Sequence, residues 1–338
     1  MRKILSMILV IVMVCALCLS TTTALADNEG YEYPKLNFTV AHDIAEAHPT
    51  HAGVARWAEL LEEATDGKIT LTIYPNAILG STDSQITQCL EGSLDCVVIG
   101  GFSLLASRGN PAATVEMMPY LFESNQSAMK ALDGEFGQWV DTEVCQAAGL
   151  KAMCFMCNGL RHIASHGPIY TPADMQGQKF RASNVSLLVE FFEACGSAAV
   201  PMAFTEVYTA LQQGTIDGFE NPAAVMNSNK FDEVCDYLNL TGHSFTTYIP
   251  CFNLEMFNKL DPEVQQVLLD TAKEAAEYQR EVIYEYEENS IQELADRGMI
   301  INDEVDKEAF REAVQPVWDK YIAEFGDEFI QMAVEGQK

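Results

Sequence analysis

Between residues 36 and 99 the chain alternates extended and helical signals in strict succession, and this alternation limits its fold more than any other feature. Leu36 to Ala41 alternates as a strand does. Pro49 opens a helix whose apolar residues Val54, Trp57, Ala58, Leu61 and Ala64 fall at helical spacing, and Gly67 stops it in the C-cap role. Ile69 to Tyr74 is rich in β-branched residues and ends at Pro75, so it reads as a second strand. A short helix through Ile86 and Leu90 stops at Gly92, and Cys96 to Ile99 forms a third strand. Strands separated by helices pair in parallel, which places the chain in the α/β class.

The middle of the chain repeats this logic. Gln178 to Ala182 reads as a strand, Ser186 to Cys195 as a helix stopped by Gly196, Ala199 to Met202 as extended chain, and Thr205 to Gln213 as a helix. Gly92-Ser93-Leu94-Asp95 and Gly214-Thr215-Ile216-Asp217 echo each other, each following a short helix, as two similar lobes or two chance helix stops would give. From Asp261 to about Asp296 runs one helical pattern, with Asp261 placed as N-cap and Pro262 in the first turn. At 1.5 Å per residue it spans on the order of 50 Å, more than one domain's width. It reads either as a brace across two lobes or as a long core helix.

Residues 1–26 read as an export leader: Arg2 and Lys3, an apolar run from Ile4 to Leu19, then Ala24-Leu25-Ala26 as a cleavage site. A run of this length is short for a spanning helix, which needs roughly 20 residues. Without Arg2 and Lys3, 18 cations face 49 acids, a net charge of −31. That balance argues against nucleic acid or an anionic membrane as partner. It leaves an anionic ligand open, because surface charge is screened within roughly 8–10 Å. The eight cysteines after the leader are scattered through apolar segments, as buried thiols or as one or more disulfides. After the leader, Cys154 and Cys157 form the one CxxC, inside a strand-like stretch from Leu150 to Cys157, and no second CxxC there completes a zinc site.

No GxSxG, HExxH, P-loop or GxGxxG occurs, so an enzyme acting on an organic acid survives only as a rival reading. No cofactor and no metal is expected, although His42, His48 and His51 cluster around Pro49 with Asp43 and Glu46. The cations are more informative. Arg161 and Arg181 each end a strand-like segment, and strand ends line the ligand crevice of an open α/β sheet. A guanidinium matches a carboxylate with two parallel hydrogen bonds, which lysine cannot do. On composition alone the two could equally be surface arginines paired with nearby acids.

Three stretches resolve the choice. Gln176-Gly177-Gln178-Lys179-Phe180-Arg181, the run Pro201 to Gln212 and the run Gly214 to Pro222 together resemble the signature of TRAP-transporter solute-binding proteins of the DctP type. His48-Pro49, Leu79-Gly80, Gly92 to Asp95, Pro119 to Phe122 and the long late helix extend the resemblance over nearly the whole mature chain. It implies a two-lobed periplasmic-binding-protein fold that closes on ligand, each lobe a mixed or parallel sheet flanked by helices, with a long helix spanning both. Domain I would comprise residues 27–158 plus 247–286, and domain II residues 159–246 plus 287–338. The resemblance places the ligand-clamping arginine at Arg181 and a second arginine at Arg161. Asn221 becomes a hydrogen-bonding residue, Phe204 an apolar wall, and Asn184 a residue that reaches the ligand. His42, Gly100 and Phe102 are expected to line the other lobe. Glu206 and Tyr208 match as well, with a structural role the better expectation.

The function so implied is capture of a small organic acid in the periplasm and delivery to the membrane subunits of a TRAP transporter. The protein would act as a monomer; a ligand-presenting subunit of a sensory receptor would bind in the same way. Sialic-acid-binding relatives carry carboxylates where this chain has Ser81 and Gly100 or Gly101, which points to a smaller or less hydroxylated acid.

Overall fold

The computed structural model describes residues 31–338, so the expected leader at residues 1–26 lies outside the described residues. Among the described residues ten strands are present: β1 (Leu36–Ala41), β2 (Ile69–Tyr74), β3 (Cys96–Ile99), β4 (Leu150–Ala152), β5 (Met156–Ser165), β6 (Lys179–Ala182), β7 (Ala198–Pro201), β8 (Gly218–Asn221), β9 (Tyr237–Asn253) and β10 (Ile300–Asn302). They form one mixed sheet in the order β2-β1-β3-β9-β5-β8-β6-β7, with β4 and β10 also paired to β9.

The order contains the same motif twice. β1 pairs in parallel with β2 and β3, and β6 pairs in parallel with β7 and β8. β3 then meets β9 antiparallel, and β8 meets β5 antiparallel. The Gly-x-x-Asp echo is part of this duplication. Gly92 and Gly214 close their helices with φ of +77° and +63°, a conformation that costs glycine nothing. The aspartate three residues on then fastens the neighbouring parallel strand. Asp95 Oδ2 accepts from the Thr39 backbone N–H at 2.7 Å, and Asp217 Oδ2 from that of Lys179 at 2.7 Å.

Helices lie where the apolar spacing puts them. Pro49–Ala64 buries Val54, Trp57 and Leu61, and Pro262–Asp296 is one continuous helix of 35 residues. The two touch closely at Gly53, where a Cβ would stand 2.7 Å from Gln279 Cβ. Gln279 thereby reaches β5, accepting from Cys157 N at 2.9 Å and donating to Cys157 O at 2.7 Å. Further along the same helix, Glu287 accepts from the N–H groups of Ala223 and Ala224, which open the helix Ala223–Ser228 just after β8.

The strand-like stretch Leu150 to Cys157 is divided. Residues 153–155 leave the ladder opposite Pro250, which has no N–H to give, while Met153 N still donates to Pro250 O at 2.8 Å. All eight cysteines among the described residues are buried free thiols. Burial pushes Cys89 and Cys154 up to about 12, far from the thiolate that redox or metal chemistry needs. Among the described residues no helix is long and apolar enough to cross a membrane.

Candidate functional site

The C-terminal ends of β1, β3, β6 and β8 converge on a cavity of about 70 Å³, a scale of several waters or one small organic molecule. Six of the eight residues expected from the sequence line it: Arg181, Arg161, Asn221, Phe204, Asn184 and Gly100. Two are placed elsewhere. Phe102 turns into the core, its ring 6.0 Å from that of Phe136. His42 is fully buried and spends Nε2 on His51 Nδ1 at 3.1 Å. A large aromatic ring gains more from core contact than from a polar cleft, and a histidine flanked by histidines finds its partner locally.

Arg161 reaches the cavity from an irregular stretch of β5, whose pairing with β9 shifts register between Cys157 and Gly159 and again between Arg161 and Ile163. Such bulges re-aim side chains. Its fork, however, is already occupied. Arg161 Nε and Nη2 both donate to the Glu220 carboxylate, the latter at 2.7 Å, and Nη2 also reaches Glu220 O at 3.0 Å. Nη1 donates to Thr246 Oγ1 at 3.1 Å. Burial by itself would raise Glu220, but the charge and hydrogen bond of Arg161 outweigh it and hold the carboxyl at about 2. His243 stands with Nε2 3.6 Å from Glu220 Oε2, and burial keeps it below the usual histidine range, hence neutral. Arg161 and Glu220 thus form a buried pair with no net charge.

Arg181 is different. It is 4% exposed, and Nε and Nη2 both donate to Met202 O, at 3.1 and 2.9 Å. That carbonyl fixes one edge of the guanidinium. Nη1 has no protein partner among the described residues, so a polar edge is left toward the cavity that Arg181 lines. Burial pushes its pKa down to about 10, with Arg161 adding to the fall and Glu220 and Asp43 opposing it. A cation held this way is costly until an anion arrives.

Two acids also belong to this cavity. Asp43, just past β1, and Asp83, in the first turn of the helix Thr82–Glu91, both line it. Ser81 and Gly100 line the cavity as well, so its carboxylates come from positions other than those two. Asp43 Oδ2 accepts from the Thr82 hydroxyl. Asp83 accepts from Asn184 Nδ2 at 3.1 Å and has Arg108 Nη2 at 3.7 Å. Asn158 and Tyr248 complete the polar wall. Glu206 and Tyr208 make structural contacts, Glu206 with Ala203 N at 3.1 Å and the Tyr208 hydroxyl with Glu233 at 2.6 Å. Among the described residues no three His, Cys, Asp or Glu side chains are placed to hold a metal ion.

Buried ionisable groups also set an acid limit. Burial, followed by neighbouring charge, lowers His42 to about 4 and His48 and His162 to about 3, against an ordinary 6.5. As pH falls below 6.5 the unfolded chain takes up these protons and the folded chain does not, so stability is lost. Glu287 opposes this: burial raises it from 4.5 to about 7, so the folded state holds the extra proton between those values. Burial also lowers His243 and raises Glu116 and Asp43, so four histidines face three carboxyls. Between pH 6.5 and 4.5 stability should fall by on the order of 1 kcal/mol per pH unit, and Glu220 extends the loss below 4.5. Ligand-free thermal unfolding from pH 7 to pH 5 reads this directly; a melting temperature that holds or rises on acidification contradicts it.

Strand ends of a duplicated α/β motif that meet at a cavity with an arginine edge suit the binding of a small solute. The model of the family described as bacterial extracellular solute-binding protein, family 7 (DctP), matches residues 40–324, and the chain belongs to this family of TRAP solute-binding proteins. It is 31% identical to the 2,3-diketo-L-gulonate-binding periplasmic protein YiaO of Escherichia coli (strain K12) over 81% of this chain and 83% of that protein. A crystal structure of a TRAP periplasmic solute-binding protein from Roseobacter denitrificans with bound β-D-glucuronate superposes with a TM-score of 0.84 at 29% identity, covering 88% of this chain and 99% of the other. A second, from Polaromonas sp. JS666 bound to D-erythronate, gives 0.84 at 29%, covering 88% and 98%. The family and these neighbours are binding proteins.

Proposed function

We propose that this chain is exported to the periplasm, captures an organic acid in the cavity between β1, β3, β6 and β8, and delivers it to the membrane subunits of a TRAP transporter. The unpartnered Nη1 edge of buried Arg181 carries the reading, because it is a charged donor open to the cavity whose natural partner is a carboxylate. Asn221 and Asn158 supply neutral hydrogen bonds, and Phe204 an apolar wall. The Arg161–Glu220 pair acts behind them as a rigid, neutral backing.

In this reading the two copies of the strand motif are two lobes, residues 27–158 plus 247–286 and residues 159–246 plus 287–338. The ligand favours the closed arrangement by its differential affinity for it. The relatives' sugar acids indicate the ligand class. A thermal-shift panel of sugar acids and dicarboxylates on the mature chain tests the proposal, since a ligand at a hundred times its Kd stabilises by about 2.7 kcal/mol. Melting unchanged by every acid would reject it.

A further inference from the structure

Resting on the carboxylate reading of Arg181, the cavity also holds information on what else the ligand carries. Its cations are accounted for. Arg161 is engaged by Glu220, and Arg108 lies at Asp83, which Asn184 also holds. One free guanidinium edge is left, and close to it one carboxylate, Asp43. The two line the same cavity; burial raises Asp43 above the ordinary aspartate range, and Thr82 and then the Arg181 charge oppose that rise. Asp43 Oδ2 is held by Thr82 and the carboxylate also meets its own backbone N–H, while no other side chain among the described residues donates to it. An acid on Arg181 consumes the positive charge that had offset Asp43. What then meets Asp43 must be a neutral donor, because a second ligand carboxylate would bring two like charges together in a desolvated space.

We propose that Asp43 is a specificity-determining residue that accepts a hydrogen bond from a ligand hydroxyl, so that the site selects hydroxylated monocarboxylic acids and turns away dicarboxylates. The chemistry is that of a site built around a polar substrate group, which rejects the analogue lacking it far more sharply than an apolar pocket does. The shape of the ligand is then an anionic head on Arg181 and a hydroxylated chain running toward Thr82 and Asp43.

D-Erythronate and succinate are matched probes: both have four carbons, one with three hydroxyls and a single carboxylate, the other with two carboxylates. Titration calorimetry on the mature chain should give erythronate at least a hundred-fold preference over succinate. Asp43→Asn keeps the size and can still meet Thr82; it should narrow the preference at least tenfold, chiefly by admitting succinate. Asp43→Ala should weaken erythronate with little gain for succinate. Equal binding of the two acids by the unaltered protein overturns the proposal. So does an unchanged ratio in Asp43→Asn, or succinate binding with uptake of one proton per site, which would mean that Asp43 serves as a protonated donor. If no acid of a wider carboxylate panel binds at all, the carboxylate reading of Arg181 fails and this proposal falls with it. Binding without discrimination removes the proposal alone.

Discussion

Replacing Arg181 by alanine should weaken binding of the organic acid by two to four decades while the ligand-free protein melts no lower than the unaltered one. The two halves of this expectation have separate causes. In the complex, the ligand carboxylate has given up water for the Nη1 edge. Removing the arginine strands a buried anion at a cost of about 3–5 kcal/mol. In the free protein the sign is opposite. Burial, with Arg161 nearby, lowers the Arg181 pKa from 12.5 to about 10, so the folded state carries this charge at a cost of order 3 kcal/mol. The two hydrogen bonds to Met202 O return part of it. Arg181→Lys should bind nearly as poorly as Arg181→Ala, because an ammonium cannot both bond the Met202 carbonyl edge-on and face the ligand. Calorimetry and ligand-free melting, run on the same three proteins, separate these effects. Unchanged affinity in Arg181→Ala would remove this residue from the site, and a collapse of the ligand-free fold would mean that it is structural.

Much of the architecture was legible because local signals and tertiary structure agree. The strands at Leu36–Ala41, Ile69–Tyr74 and Cys96–Ile99 fall where alternation and β-branching put them, and the helix Pro262–Asp296 follows its apolar stripe from the Pro262 start. β9 gave no such signal: Gly242 and Pro250 lie inside its 17 residues, and both read as breakers. It remains one strand because different neighbours pair with different parts of it, β3 and β4 toward its end and β5 and β10 toward its start. Arg181 could be placed at the cavity from a guanidinium at a strand end, and Asn221 from the resemblance to the DctP signature; both line it. The site was not legible where the deciding fact is which partner a side chain finds. Nothing in the local sequence says that the Arg161 fork closes on Glu220, 59 positions away. Asp43 was visible only as part of a histidine cluster, because its place opposite Arg181 depends on β1 and β6 ending at one cavity.

Glu220→Ala should be the most damaging single change in the cavity wall, costing about 3–5 kcal/mol of stability and roughly 6–15 °C in melting temperature. Glu220 is fully buried and satisfies two nitrogens of Arg161, which is itself 4% exposed. Once the carboxylate is gone, the guanidinium keeps Thr246 and the residue-220 carbonyl but carries an uncompensated charge away from water. Glu220→Gln keeps the volume and an acceptor, so it should lose less stability. It should also weaken acid binding, if at all, by far less than Arg181→Ala. The stronger test is the pair. A buried ion pair owes most of its apparent worth to the cost of leaving one member alone, so Arg161→Met combined with Glu220→Leu should be more stable than Glu220→Ala. A double variant as unstable as the sum of its singles would show that the two residues act independently, and the neutral backing assigned to the site would then have to come from elsewhere.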